Sequence, residues 1–507
     1  EEALQFDSKG DEANKVDLAD YLVEVEKGGT AFSVGHLEYG TNPLMLDNLD
    51  HRGVALRQAF GSRFDLSLTN LSGRSVVGFD RFLGGTRRNR ISAVTAGLEV
   101  FKQRPGGLRM ELMYMDGERE NDLGFRVGEV PDSEQSRGLG VRLIGSTPSG
   151  RLRGDLSYGR STYENPDDPV LDQGDATVAV EKTTDDARHV SLAFDILQDL
   201  EFGESQFSTV TLELTHDRND PFYQSLGAFV SSDLMLNQAT LTGQLGDFVN
   251  AQLLYGEAED NLDNIPTILK TKTRQSSANL NVSLPTLFGD SEAEATFLPV
   301  FSYVFDWVHQ FAENSPDTDQ SGFDGSSHLP NQVSLIHDSE LNWFFDRWDF
   351  GYRFSFSDQN NRQPGRENDD FKNYGHTVLV GLELLEGLRV DLDVGRERND
   401  DIKAGLKGYT DRGGIGLLWQ FARRWAFSGS YNQARIHDTK SNADDRDFAA
   451  FAQLSRTFEL PFGEYRLPGQ IFVSYSQTEL DSQNNLFAFN TLVRNWSVNS
   501  GVSLSFF

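Results

Sequence analysis

Cysteine is absent from all 507 residues. That excludes a disulfide framework, Cys-ligated zinc, iron–sulfur clusters and covalently attached haem on this chain. No run of 18 apolar residues occurs, so no transmembrane helix is expected. Basic residues are scarce: 46 Lys plus Arg stand against 77 Asp plus Glu, a formal net charge of −31, which argues against a nucleic-acid partner. The N-terminus, Glu1-Glu2-Ala3, has neither a charged n-region nor an apolar core, and is expected to be that of a mature chain whose export signal has been removed. There is no Gly-x-Ser-x-Gly, phosphate-loop or dinucleotide fingerprint. The nine histidines are scattered, and His216-Asp217, His337-Asp338 and His437-Asp438 cannot act as base and orienter on a strand, where neighbours point to opposite faces. No enzyme activity, cofactor or metal site is expected.

What the chain does contain is period-two alternation. In its last stretch Trp496, Val498, Ser500, Val502, Leu504 and Phe506 alternate with Ser497, Asn499, Gly501, Ser503 and Ser505, the signature of a strand with one apolar and one small polar face. Similar runs recur at 31–39, 51–60, 62–71, 91–102, 107–116, 136–146, 151–162, 187–197, 206–217, 232–244 and 247–257. They continue at 275–285, 295–311, 331–345, 347–358, 374–385, 387–397, 412–421, 424–436, 447–459, 469–480 and 494–507. The links between them alternate too. Short turns such as Gly61-Ser62, Pro105-Gly106, Gly246-Asp247, Glu386-Gly387 and Arg423-Arg424 are interleaved with polar links of about 10 to 25 residues, including 116–135, 164–186, 313–330, 358–374 and 437–446. Links 198–205, 286–294 and 460–468 fall on the short side but are longer.

A strand that ends the chain on aromatic residues, here Phe506 and Phe507, resembles the closing strand of bacterial outer-membrane β-barrels. Short turns on one side and long loops on the other match the periplasmic and extracellular ends of that class. The resemblance covers residues 31–507, is to the class only, and includes porin-like and export-channel barrels. It implies an all-β fold: a transmembrane antiparallel up-and-down β-barrel of about 22 strands (20 to 24) in the bacterial outer membrane, preceded by an acidic leader over residues 1–30, periplasmic or lumenal. The mean hydropathy of −0.46 does not oppose this, because only alternate residues of a barrel strand meet lipid. Thirty-seven phenylalanines, in a chain that is 11% aromatic, suit aromatic girdles.

Parity then sorts the side chains. Trp348, Phe350, Tyr352, Phe354, Trp425, Phe427, Trp496 and Phe506 are expected to face lipid. Charge on that face would cost about 2 to 4 kcal/mol at mid-bilayer, so the opposite face is expected to line a wet interior. Its candidates are Arg57, Asp65, Glu99, Arg109, Glu111, Arg142, Arg153, Asp155, Asp349, Arg353, Arg389, Asp391 and Asp393, read either as bracing ion pairs or as a slightly acidic channel wall. Acid-rich stretches 165–186, 317–324 and 399–401 lack calcium-hand spacing and read as solvated charge. The link 72–90 is unusually apolar and basic, and Phe79, Arg81, Phe82, Arg87 and Arg88 are expected in an inward constriction.

Two functions follow: an outer-membrane channel passing polar solutes or an exported polymer, narrowed by inward loops, or a sheath whose lumen holds a partner protein, as in polysaccharide export or porin–cytochrome electron conduits. About 22 strands enclose a wide lumen, and the roughly 30 residues before the first strand are not expected to form a plug, so loops or a lumenal or periplasmic partner should fill it. Outer-membrane lipid and lipopolysaccharide are the remaining expected partners.

Overall fold

The computed structural model describes residues 20–76, 82–85, 89–120, 133–164, 182–201, 207–288, 297–316, 329–462, 465–484 and 489–504. Among them run 23 strands. The first eight are β1 (Leu22–Lys27), β2 (Thr30–Tyr39), β3 (Leu49–Phe60), β4 (Phe64–Leu71), β5 (Asn89–Glu99), β6 (Leu108–Glu120), β7 (Ser133–Ser146) and β8 (Leu152–Glu164). Then come β9 (Thr183–Glu201), β10 (Phe207–Asn219), β11 (Leu234–Leu245), β12 (Val249–Glu259), β13 (Thr271–Ser283), a short helix α1 (Leu284–Phe288), β14 (Val300–Ala312) and β15 (Asn331–Phe344). The last are β16 (Trp348–Asn361), β17 (Phe371–Leu385), β18 (Leu388–Asp401), β19 (Leu406–Ala422), β20 (Trp425–Asp438), β21 (Ala443–Phe462), β22 (Tyr465–Asn484) and β23 (Phe489–Leu504).

Each of the 22 alternating runs is a strand, β2 to β23, and the twenty-third is β1, inside the expected leader, where it pairs antiparallel with β2 through Leu22↔Gly35 to Lys27↔Thr30. Consecutive strands pair antiparallel, so the fold is an all-β, up-and-down meander, the strand architecture of an outer-membrane-type β-barrel. Turns on one side are tight. Gly61 (φ 68°) and Gly387 (φ 78°) adopt the left-handed conformation that a side chain would strain, closing the β3–β4 and β17–β18 hairpins.

On the other side several strands outrun the sequence reading. β16 continues to Asn361 and β17 begins at Phe371, which shortens the link expected at 358–374; β20 and β21 leave only 439–442 between them; and 399–401, expected as an acidic loop, ends β18. Both faces are polar there, so the alternation vanishes while the backbone ladder, Asp401↔Leu406 and Asn399↔Gly408 among its pairs, carries on. Of the other acid-rich stretches, 165–181 and 317–324 lie outside the described residues.

The chain forms two compact units: Glu1–Gln198 with Thr211–Ala239 and Gly256–Lys272, and Asp199–Val210 with Thr240–Tyr255 and Thr273–Phe507. The first contains a buried apolar core built from Leu44, Met45, Leu46, Ile91, Met113, Met115 and Tyr223.

Candidate functional site

Register fixes which side chains share a face. In the first unit the pairs Asp65↔Gly97, Gly97↔Glu111, Glu111↔Arg142 and Arg142↔Ser157 place the expected interior residues of β4 to β8 on one side of the sheet. Arg109 is their hub. Its Nη1 and Nη2 donate to Asp65 at 2.8 and 3.0 Å, its Nε to Glu111 at 2.7 Å, and Nη1 also reaches Glu99 at 3.4 Å. Arg57 adds a longer approach to Asp65, 3.9 Å. Gly97 makes room for the hub, since a Cβ there would stand 2.6 Å from the Arg109 guanidinium carbon. Farther along, Arg142 Nε donates to both Asp155 oxygens at 3.1 Å, and Arg153 forks onto Asp195 at 2.6 and 2.8 Å. A cross-strand pair that neighbour-by-neighbour reading missed joins His189 to Asp217 at 2.5 Å, while His216 turns to Asn237 at 2.8 Å.

The same face carries an apolar deposit beside these ions. Segment 40–48, between β2 and β3, folds back onto the sheet, its turn closed by Leu46 N and Met45 N donating to the Asn42 carbonyl at 2.9 and 3.2 Å. Asn42 Oδ1 also accepts from Leu44 N at 2.9 Å, an Asx turn. Arg142 ties it down by donating Nη1 to the Thr41 carbonyl at 3.0 Å. Segment 220–233, between β10 and β11, is laced to it: Tyr223 Oη donates to the Leu44 carbonyl at 2.6 Å, Ser225 Oγ to the Met45 carbonyl at 2.9 Å, and Asp47 N to the Gly227 carbonyl at 2.9 Å. Burial pushes the Tyr223 phenol up, which keeps it a donor.

The seat for these segments is written in glycine. Gly138, Gly140 and Gly159 are on the face of Arg142 and Asp155; Met45 packs at the first two and Leu44 with Tyr223 at the third. Met45, Leu46 and Tyr223 have no exposed surface at all. Each buried Leu or Met contributes about 1.5 to 3 kcal/mol toward holding the segment closed against its chain entropy. Sequence reading passed over this segment in favour of 72–90. The signal was present: Leu44-Met45-Leu46 in a polar link, and small or apolar residues (Met113, Met115, Gly138, Gly140) where the interior parity otherwise gives charge.

The link 72–90 does something else. Phe82 stacks on Tyr21 (centroids 4.7 Å apart), the Tyr21 hydroxyl donates to the Phe82 carbonyl, and the Val76 carbonyl meets His36 Nε2 at 3.2 Å. His36 and its register partner Arg52 are on the side of the sheet opposite Leu37, His51 and Arg57, so Phe82 is not in an interior constriction. For Phe82 this placement departs from the expectation, because apolar content marks a segment that packs, without saying on which face. Phe79, Arg81, Arg87 and Arg88 lie outside the described residues.

In the second unit Asp349, Arg353, Arg389, Asp391 and Asp393 also share a face, through Asp349↔Gly381, Gly381↔Asp391 and Asp393↔Gly414. Arg389 bonds Asp349 at 2.7 Å and Asp391 at 2.8 Å, and Arg353 reaches Asp338 at 3.3 Å; Asp393 stands apart, over Gly414.

The opposite face of this unit is apolar. Trp348, Phe350, Tyr352, Phe354 and Phe356 run eight residues along β16, about 26 Å at some 3.3 Å each, comparable to the roughly 25 Å apolar band of outer-membrane barrels. Trp425 and Phe427 share it on β20, and on β23 Trp496 is 73% exposed; Phe506 is outside the described residues. Where the band ends, ion pairs begin on the same face: Arg396 with Asp411 at 2.6 Å, Arg435 with Asp444 at 2.9 Å, and Arg494 with Glu479 at 2.5 Å. The first unit repeats this, with Arg90 to Asp116 at 3.3 Å and Arg160 to Asp186 at 3.6 Å beyond Tyr114 and Tyr158.

No family model matches the chain, and no curated protein matches it. Among solved structures it is similar to OccK9 (OpdG) of Pseudomonas aeruginosa, at 12% identity over 82% of this chain and 98% of that one, with a TM-score of 0.28. OmpT, an outer membrane protein of Vibrio cholerae, aligns at 9% identity over 70% and 98%, TM-score 0.24, and the ferric-catecholate import receptor Fiu of E. coli K12 at 9% over 97% and 82%, TM-score 0.25. Overlaps this slight carry no inference of activity or substrate, and the fold assignment stands on strand topology and register.

Proposed function

We propose that the protein is a channel of the bacterial outer membrane that passes polar solutes along the charged face, narrowed by segments 40–48 and 220–233. The apolar face meets lipid, and the ion pairs at its edge meet the headgroup layer, where lipopolysaccharide phosphates compete for the arginines. The observation that carries the reading is the burial of Leu44, Met45 and Leu46 on the same face as the Arg109 and Arg142 ion pairs. A path lined by charge of both signs, with carboxylates in slight excess, lets water and polar solutes enter without desolvation, and an apolar obstruction beside it limits their size. It also favours a channel over a sheath, since a sheath needs that face open for its partner.

Planar-bilayer recording tests this. Intact protein should give small, discrete conductances, and replacing residues 43–47 by a Gly-Ser linker should enlarge them severalfold. Conductance unchanged by the replacement would remove these segments from the path.

A further inference from the structure

Within the second unit the polar face is not uniform. On β16 to β18 it carries Asp349, Arg353, Glu383, Arg389, Asp391 and Asp393. On β20 to β23 the same face, followed through alternate residues over 426–432, 449–457, 470–478 and 495–503, has no Asp, Glu, Lys or Arg, and the strip ends at Asp447, the register partner of Ala434. Hydroxyls and amides stand there instead, among them Ser430, Asn432, Gln453, Thr478, Asn495 and Asn499. The fold tolerates ions on this face two strands away, so their absence is local.

Two aromatic rings interrupt this uncharged strip. Phe451 pairs with Ser476 and is 39% exposed. Phe472 pairs with Gly501 and lies down across the two strands, its ring reaching the place where a Cβ at 501 would stand 2.7 Å away. A wall meant only to wet a pore gains nothing from an exposed ring among hydroxyls, because that apolar surface costs free energy in water.

Hydroxyl and amide donors and acceptors around two rings, Phe451 exposed and Phe472 half-buried, match one solute chemistry. A sugar presents hydroxyls at its edge and C–H groups on its faces. The edge exchanges hydrogen bonds with Asn, Gln and Ser, and the face stacks on Phe, whereas within the strip, short of Asp447 at its end, an anion finds no cation and a cation no carboxylate. We infer that β20 to β23 form a binding track for neutral carbohydrate, with Phe451 and Phe472 as its platforms. That carbohydrate is also the solute carried rests on the channel reading above; that it binds does not.

The full-length protein in detergent is titrated calorimetrically with maltohexaose and with a hexamer of galacturonic acid, and both are added to the bilayer-reconstituted channel. Maltohexaose should bind and interrupt the current, and the acidic hexamer should do neither. Phe451→Ala and Phe472→Ala should each weaken maltohexaose about tenfold, in the range of one lost aromatic contact. Asn499→Asp, which leaves both rings in place, should weaken it as well and guards against a misfolded Phe variant; heat-modifiable gel migration reports folding for all three. Equal binding of the two hexamers, or folded variants that bind like the parent, would overturn the track. Binding without conductance would sink the channel reading and leave the track standing, and conductance without binding would do the reverse.

Discussion

A Cβ at Gly138 would stand 2.5 Å from Cε of Met45, so the methionine fills the side-chain space that β7 leaves empty. Overpacking of this kind costs about 1 to 3 kcal/mol, which is comparable to what one buried side chain contributes to holding segment 40–48 down. Gly138→Val should therefore lift the segment and raise conductance in bilayers. The Arg160 carbonyl also crowds that position, so the strand itself is strained by the change. Met45→Ala provides the independent case: it leaves β7 untouched and should raise conductance too. If neither variant alters it, Met45 does not hold the obstruction in place.

Arg109 holds three carboxylates, Asp65, Glu99 and Glu111, with side-chain exposures of only 11 to 14%. Arg109→Met would leave them facing one another in a half-dry setting. The loss should be about 3 kcal/mol, the low end for breaking a buried pair because the site is partly wet. Two readouts are expected to move together: the temperature of heat-modifiable unfolding should fall, and the reversal potential in a salt gradient should shift toward cation preference. A fall in stability alone would make the cluster a brace with no part in conduction.

How much of this the sequence revealed depended on whether a feature has a period. The strands from β2 to β23 were legible because alternation of Trp348, Phe350 and Phe354 with Asp349, Gly351 and Arg353 survives any packing detail. Strand ends beyond the apolar band were not, since residues 396–401 are polar on both faces and only the backbone ladder marks them as strand. Ion pairs such as Arg142 with Asp155 were legible as shared faces, but their partners depend on register, which no single strand specifies. Segment 40–48 was missed because its contacts, from Met45 to Gly138 or Leu44 to Tyr223, join residues 93 to 179 positions apart.

The apolar face of β16 makes a direct test of orientation. A nitroxide in place of Phe350 should be quenched by a lipid-soluble relaxant and ignored by a water-soluble one. At Ser355 the preference should invert, since Ser355 lies on the face of Arg353 and Asp349. Gly351 is a poor labelling site, because even a Cβ there would come within 2.7 Å of the Asn342 side chain. Equal access from water at 350 and 355 would mean that this face does not meet hydrocarbon.

The corner between β20 and β21 offers a pH test away from the apolar band. Burial alone would raise the Asp438 carboxyl, but it accepts backbone hydrogen bonds from Asn442, Ala443 and Lys440, at 3.1, 2.9 and 2.7 Å, and these hold it below the ordinary value of 3.8. A carboxyl depressed in the folded state stabilises at every pH above its unfolded value, and that contribution disappears as pH falls through the lower, folded one. The 439–442 turn should therefore stay ordered from pH 7 down to about 4 and loosen only below the ordinary carboxylate range. A spin label replacing Lys440, whose side chain is exposed, reads this as a gain in mobility confined to the acid end. Asp438→Ala should make the label mobile at every pH, and Asp438→Asn should abolish the pH dependence while keeping part of the order, since one amide oxygen still accepts. Loosening that set in above pH 5 would remove Asp438 from control of the turn.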